Sequence, residues 1–154
     1  MTAPRRMMMA AAGVSGTFEN AAVGGTPTVS SGTKVAQAWT EGVRFDFGSG
    51  NTTGWAKYDL GAGNDIVGTR YSITVASSST QMPKNFTFQG SNNDSTWTTL
   101  DTQTGQVLGA PYVAYTEQIY EFANATSYRY YKLDVTLNGG GGTWLEWMWL
   151  KLGL

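Results

Sequence analysis

The chain has 154 residues, a formal net charge of −1 and only 14% charged residues, beside 20 glycines and 13% aromatic residues. This length suits one domain with a single core, and the composition favours short strands joined by turns over a helical bundle. The weak charge excludes the basic surface that binds nucleic acid, the apolar runs are too short for membrane insertion, and the lack of His and Cys removes the commonest general base and disulfide chemistry.

The N-terminal segment combines charge with a short apolar run. Arg5 and Arg6 precede methionines and alanines at residues 7–12. A positive start before an apolar run is typical of a secretory signal, but this run lacks Leu, Ile and Phe. We therefore interpret the segment as an arm that docks against another protein or another copy of the chain. Residues 14–34 are rich in Gly, Ser, Thr and Ala and are predicted as linker or short edge strands.

The first predicted strands alternate between apolar and polar residues. Residues 43–47 alternate and are followed by a glycine-rich loop at residues 48–54. Residues 55–61 and 66–75 continue the period of two that marks half-buried strands. The residues predicted to face the core are Ala56, Tyr58, Leu60, Tyr71, Ile73 and Val75.

Residues 86–100 predict a β-hairpin. Phe86 and Phe88 alternate with polar residues, as in a strand with one buried face. The Asn-Asn-Asp-Ser sequence at residues 92–95 is typical of a tight turn, because short polar side chains bond to their own backbone. Residues 97–100 then resume a β-prone run.

Three further segments predict the remaining strands. Residues 118–122 alternate, and residues 128–135 place Tyr131, Leu133 and Val135 on one face. The segment at residues 144–150 closes the folded region after a run of glycines. Several short strands with regular turns favour a sandwich or a barrel.

Four of these segments, in this order, resemble discoidin domains, also called coagulation-factor type C domains, of the galactose-binding-like superfamily. The matching motifs are Phe-x-Phe-x-Gly-Ser-Asn with Trp-x-x-Leu at 86–100, Trp-x-x-Tyr-Asp-Leu-Gly at 55–61, Arg-Tyr-Tyr-Lys-Leu at 129–133, and the strand around Glu146. The resemblance covers residues 35–154. It implies an all-β, discoidin-like jelly-roll β-sandwich, here with an extended arm at residues 1–34, and a binding module that usually recognises glycans.

The carboxylates do not predict an active site. Without His or Cys, hydrolysis would depend on a carboxylate pair, as in glycosidases. Asp59 and Asp134 fall on outward strand faces beside Lys57 and Lys132, so we interpret them as solvated partners of these lysines. Asp94 is predicted as a turn residue. We therefore predict no catalytic residue and no enzyme activity.

The resemblance also raises the question of whether this protein binds a structural calcium ion. Many relatives hold one between an early loop and a late strand glutamate, using the several oxygen ligands that this cation requires. Glu146 matches the late glutamate, whereas the early loop with Asp46 is shortened and reordered. Two alternatives stay open: a calcium ion near Asp46 and Glu146, or local pairing of Glu146.

The six tryptophans divide into two groups. Trp55, Trp97, Trp147 and Trp149 lie in strand patterns and are predicted as core.

Trp39 and Trp144 lie at loop edges, where an indole can stack on a sugar ring while Arg and Asn bind its hydroxyls. For each of these aromatic residues, the alternative is that it covers the rim of the core. The candidate ligand residues are Trp39, Arg44, Asn51, Asn92, Tyr112, Tyr115, Asn138 and Trp144.

The leading functional hypothesis is a phage virion protein on the tail or capsid surface. Residues 1–34 would contact other virion proteins, the chain would form a homo-oligomer, and the sandwich would bind a cell-surface glycan for host attachment. Copy number would then multiply a weak affinity for sugar. Two alternatives remain: a decoration protein that binds no glycan, or a secreted, extracellular carbohydrate-binding module.

Overall fold

The computed structural model describes seven segments of the chain: residues 20–32, 35–40, 42–76, 80–107, 115–140, 144–147 and 149–154. Within them the strands are β1 (Thr26–Val29), β2 (Phe45–Asp46), β3 (Gly54–Asp59), β4 (Arg70–Thr74), β5 (Pro83–Ser91), β6 (Thr98–Gln103), β7 (Glu117–Glu121), β8 (Tyr130–Asn138), β9 (Glu146–Trp147) and β10 (Trp149–Gly153).

A short 3₁₀ helix, Val35–Trp39, lies between β1 and β2. None of the helical structure in the described segments is long and apolar enough to cross a membrane.

The strands form an antiparallel β-sandwich. One sheet has five strands in the order β1-β3-β8-β5-β6, a second has three in the order β10-β4-β7, and β2 pairs with β9. The prediction of an all-β sandwich is confirmed. Two of the neighbouring pairs in the large sheet join strands distant in sequence, because β8 lies between β3 and β5.

The core lies between the sheets and contains the inward-facing residues that the alternation predicted. Tyr71 of β4 stacks on Phe88 of β5 with ring centroids 4.2 Å apart, and on Tyr120 of β7 at 4.9 Å. Burial of such large aromatic rings is a main source of folding free energy. The other predicted inward residues are buried as well: Ala56, Tyr58, Leu60, Ile73, Val75, Phe86, Tyr131, Leu133 and Val135.

The large sheet begins before residue 35. Strand β1 pairs with β3, in a register that sets Val29 opposite Ala56, so part of the segment assigned to the arm is an edge strand. The side-chain oxygen of Asn20 accepts a hydrogen bond from the backbone N–H of Leu152 at 3.1 Å. Residues 1–19 and 33–34 of the proposed arm lie outside the described residues.

The β5–β6 hairpin is held by its turn side chains, as its sequence predicted. Ser91 Oγ accepts hydrogen bonds from the N–H groups of Asn93 and Asp94 at 3.3 and 3.1 Å. These bonds hold Asp94 at a φ of 57°, a left-handed conformation that aspartate tolerates. Gly90 is required nearby, because a Cβ there would lie 2.5 Å from the ring of Tyr128.

Candidate functional site

An open groove lies on the outer face of the five-stranded sheet. The register of β3 and β8 places Trp55 opposite Asp134 and Lys57 opposite Lys132, on the face that points away from the core. Together with the hairpin turn these strands enclose a volume of about 240 Å³. We call this the sheet-face groove; its lining residues are Trp55, Lys57, Asp94, Trp97 and Lys132.

The hairpin supplies one wall of the groove. Lys57 Nζ lies 2.7 and 2.6 Å from the two carboxylate oxygens of Asp94, so an ion pair ties the turn to the centre of the sheet. The same ammonium lies 5.6 Å from the ring centroid of Trp55 and 5.9 Å from that of Tyr130. Lys57 is therefore held by one carboxylate and two aromatic faces.

Lys132 is held differently. Its Nζ lies 4.3 Å from the ring centroid of Trp97, a close cation–π contact. Its nearest carboxylate oxygen in the described residues belongs to Asp134, at 3.9 Å, too far for a hydrogen bond. Burial lowers the pKa of Lys132, Asp134 partly opposes this, and the nearby Lys57 ammonium lowers the pKa further.

A second ion pair stiffens the end of the sheet beside the groove. Arg129 donates two hydrogen bonds to the carboxylate of Asp59, from Nε at 2.7 Å and from an Nη at 2.8 Å. The guanidinium also lies 4.8 Å from the ring centroid of Tyr130. These hydrogen bonds hold the pKa of Asp59 below its usual value.

The groove combines the chemical groups that bind a small polar ring. Indole faces pack against apolar C–H surfaces, and ammonium and carboxylate groups exchange hydrogen bonds with hydroxyls. Its volume is below the ~300–1,000 Å³ typical of sites that enclose drug-sized ligands, so it suits a ligand lying on the surface.

Most of the predicted ligand residues lie elsewhere, around the loops at one end of the sandwich. We call this the loop end; it comprises the described residues of 44–53, 76–82, 104–116 and 138–146. Backbone hydrogen bonds join neighbouring loops, from Gly139 N–H to the Met82 carbonyl at 2.9 Å and from Tyr115 N–H to the Val75 carbonyl at 3.0 Å.

Two predicted asparagines have structural roles in these loops. Asn138 is 3% exposed; its Nδ2 donates to the Trp144 carbonyl at 2.8 Å and its Oδ1 accepts from Gly140 N–H at 3.1 Å. Asn51 Nδ2 donates to the Phe47 carbonyl at 2.8 Å. Because these amides bond to local backbone, their geometry explains loop structure without a ligand.

Burial excludes one further predicted ligand residue, and another lies in the hairpin turn. Trp39 is 4% exposed and packs on Tyr58 with ring centroids 5.3 Å apart, so its indole offers no face to a sugar. Asn92 lies in the β5–β6 turn, away from the loop end. It joins the turn to the start of β8 by donating to the Ser127 carbonyl at 3.0 Å and accepting from Arg129 N–H at 2.9 Å.

Three predicted residues keep exposed surface at or near the loop end. Tyr115 is 62% exposed, Trp144 is half-buried, and the exposed Arg44 points a guanidinium nitrogen at Glu146. Tyr112 lies outside the described residues.

The candidate calcium ligands have other partners. Glu146, 2% exposed, lies opposite Asp46 in the β2–β9 pair, and Arg44 Nη1 approaches its carboxylate at 3.5 Å. Asp46 Oδ1 accepts a hydrogen bond from Gly48 N–H at 3.1 Å. The described segments contain no group of three or more His, Cys, Asp or Glu side chains suited to a metal. Arg44 supplies a positive charge to Glu146, which is the local pairing that the sequence left open as one of its two alternatives.

The sequence interpretation missed the groove because it assigned the strand tryptophans to the core. Trp147 is buried, as predicted, but Trp55 and Trp97 are half-buried on the outer side. The alternation of β3 could have identified Trp55 as outward-facing, because Trp55 precedes the inward-facing Ala56. For Trp97, no sequence pattern indicated that the hairpin turn brings its indole to Lys132.

Comparison with known proteins identifies one family. A sequence profile of the F5/8 type C domain matches residues 19–150. No curated protein matches the chain by sequence.

Solved structures share the fold at low sequence identity. Chitosan-binding module 1 of a chitosanase/glucanase from Paenibacillus sp. IK-5 has a TM-score of 0.68 at 19% identity, over 87% of this chain and 98% of that one. The family 32 carbohydrate-binding module of Clostridium perfringens NanJ, in complex with galactose, has a TM-score of 0.67 at 11% identity, over 88% of this chain and 97% of that one. CBM62 of Clostridium thermocellum Xyl5A has a TM-score of 0.65 at 21% identity, over 83% of this chain and 92% of that one.

Proposed function

This chain belongs to the F5/8 type C domain family, and we propose that it is a non-catalytic module that binds glycans in the sheet-face groove. One observation carries the proposal: half-buried indoles of Trp55 and Trp97 line an open cavity together with Lys57, Asp94 and Lys132. Aromatic faces beside charged hydrogen-bonding groups are suited to a sugar, which has apolar C–H faces and many hydroxyls.

The relatives support the class of ligand. The matched structures are carbohydrate-binding modules, one described as chitosan-binding and one in complex with galactose. At identities of 19% and 11% the likeness supports the fold, and the particular saccharide is not transferred.

The groove is a stronger candidate than the loop end. At the loop end, the amides of Asn138 and Asn51 are engaged by backbone groups. In the groove, Trp97 keeps exposed surface and Lys132 has unused donors toward the described residues. A ligand gains affinity where it satisfies groups that the free protein leaves unsatisfied.

Glycan binding is tested by a glycan array, followed by calorimetric titration of the saccharide that binds best. We expect Trp97→Ala and Trp55→Ala each to weaken binding at least about tenfold, the usual loss when an aromatic anchor is truncated. Tyr115→Ala is the matched control, because Tyr115 is an exposed aromatic residue of the loop end. Loss of binding in Tyr115→Ala but not in Trp97→Ala would move the site to the loops.

We further propose that the module belongs to a phage particle, as a homo-oligomer anchored through the part of residues 1–34 that precedes the sandwich. Asn20 and Ala21 both bond to Leu152, so the chain enters the sandwich beside β10. Several copies on one particle would raise the avidity of a weak sugar site.

Deletion of residues 2–19 tests the anchor, because it spares the bond of Asn20 to Leu152. We expect the truncated protein to fold and bind glycan but to be missing from purified particles. Normal incorporation would contradict the anchoring role. An array on which the assembled protein binds no glycan would instead favour a purely structural decoration protein.

A further inference from the structure

The two lysines of the sheet-face groove differ in how well their charge is satisfied. Both carboxylate oxygens of Asp94 lie within hydrogen-bond distance of Lys57 Nζ, at 2.7 and 2.6 Å. Lys132 Nζ lies 3.9 Å from a carboxylate oxygen of Asp134 and makes no hydrogen bond to the residues that the structure describes. An ammonium group has three N–H donors, so Lys132 has donors to offer a ligand.

The surroundings of Lys132 make those unused donors informative. Its side chain is only 14% exposed, so water reaches the ammonium poorly. The indole of Trp97, 4.3 Å away, stabilises the charge but accepts no conventional hydrogen bond. A partly desolvated charged donor without an acceptor is costly, and an oxygen from a ligand would remove that cost.

The charges around Lys132 favour a negative ligand group over a neutral one. Lys57 lies directly opposite on β3, and like charges in that position repel. The carboxylate of Asp94 is hydrogen-bonded to Lys57 and is the weaker of the two acids that raise the pKa of Lys132. Asp134 is the one remaining acid near Lys132 among the described residues, and at 35% exposure its charge is screened by water.

Resting on the proposed function, we infer that the groove selects a glycan containing a hexuronic acid, whose carboxylate accepts hydrogen bonds from Lys132 while its ring packs along Trp55 and Trp97. A hydrogen bond between two charged groups is stronger than one to a hydroxyl. A neutral sugar satisfies Lys132 with a hydroxyl oxygen and binds less tightly.

The experiment titrates the full chain with uronate trisaccharides and with the carboxyl-reduced neutral counterpart of each, at low and at moderate salt. We expect the uronate to bind about tenfold or more tightly than its neutral counterpart, with an advantage that shrinks as salt rises. Lys132→Gln should remove most of the advantage, because it weakens uronate binding much more than neutral binding, for which the Gln amide still donates to a hydroxyl. Lys84→Gln, which removes an equal charge outside the groove lining, should preserve the advantage.

The outcomes separate this inference from the proposed function. Equal affinity for acid and neutral forms would overturn the uronate preference while glycan binding stands. A preference that persists in Lys132→Gln would overturn the role of Lys132. Absence of binding to either form, together with a blank glycan array, would overturn both.

Discussion

The sheet-face groove and the loop end contain similar residue types, but these residues are used differently. At the loop end the side-chain amide of Asn138 is hydrogen-bonded to the backbone of Trp144 and Gly140, and Glu146 faces Arg44. In the groove, Lys132 faces an indole and a distant carboxylate. The difference teaches that unused hydrogen-bonding capacity marks a binding site better than residue type. It follows that substitutions of the hydrogen-bonded loop-end residues change stability, whereas substitutions in the sheet-face groove change glycan affinity.

The largest expected effect is on stability, at Trp39. Its indole is buried against Tyr58, so Trp39→Ala should lower the free energy of unfolding by about 3–5 kcal/mol. Chemical denaturation measures the loss, and Trp39→Phe, which keeps a ring there, should lose less. If Trp39→Ala folded normally and lost only glycan affinity, Trp39 would be a ligand residue after all.

Asn138→Ala should have the next largest effect. It removes two hydrogen bonds from a buried loop junction and leaves the Trp144 carbonyl and Gly140 N–H without this partner, a cost of about 1–3 kcal/mol. Thermal melting measures the loss, and glycan affinity in the folded protein should be unchanged. An unaltered melting temperature with lost affinity would reverse the assignment.

The Asp59–Arg129 pair predicts a smaller effect that depends on pH. Its hydrogen bonds lower the pKa of folded Asp59 below 3.8, so the pair stabilises the fold above the unfolded-state pKa and loses this contribution as pH falls through the lower folded value. Melting temperatures of the wild type and Asp59→Asn should therefore differ near neutral pH and converge on acidification. A difference that stays constant down to about pH 2 would contradict the linkage.

The smallest expected effect is that of calcium. Because Arg44 already faces the buried carboxylate of Glu146, we expect a chelator to leave the melting temperature unchanged. Arg44→Gln is the informative variant, since it removes that charge and should make Glu146 costly to bury. A clear loss of stability in wild-type protein on adding the chelator would instead support a calcium ion near Asp46 and Glu146.

The sequence predicted the sandwich well because its signals are local. Alternation in β3, β4, β5 and β8 identified the buried faces, and the Asn-Asn-Asp-Ser turn identified the hairpin. Chain order with four family motifs then sufficed for the fold. Strand β1 was less clear, because a short, polar edge strand has little alternation to detect.

The site was harder to predict because it depends on contacts between distant residues. Asp94 reaches Lys57 across 37 residues, and Trp97 meets Lys132 only once β8 lies beside β5. Loop position made Asn138 a candidate, although its side chain is buried in its own loop. Exposure and hydrogen-bond satisfaction are tertiary properties that a one-dimensional pattern does not contain.

The indole N–H signals of the six tryptophans, followed by NMR as a bound saccharide is titrated, test the central claim most directly. We predict that the signals of Trp55 and Trp97 move with ligand, while those of the buried Trp39 and Trp147 stay in place. Movement of the Trp144 signal with Trp55 and Trp97 unchanged would place the ligand at the loop end and contradict the account.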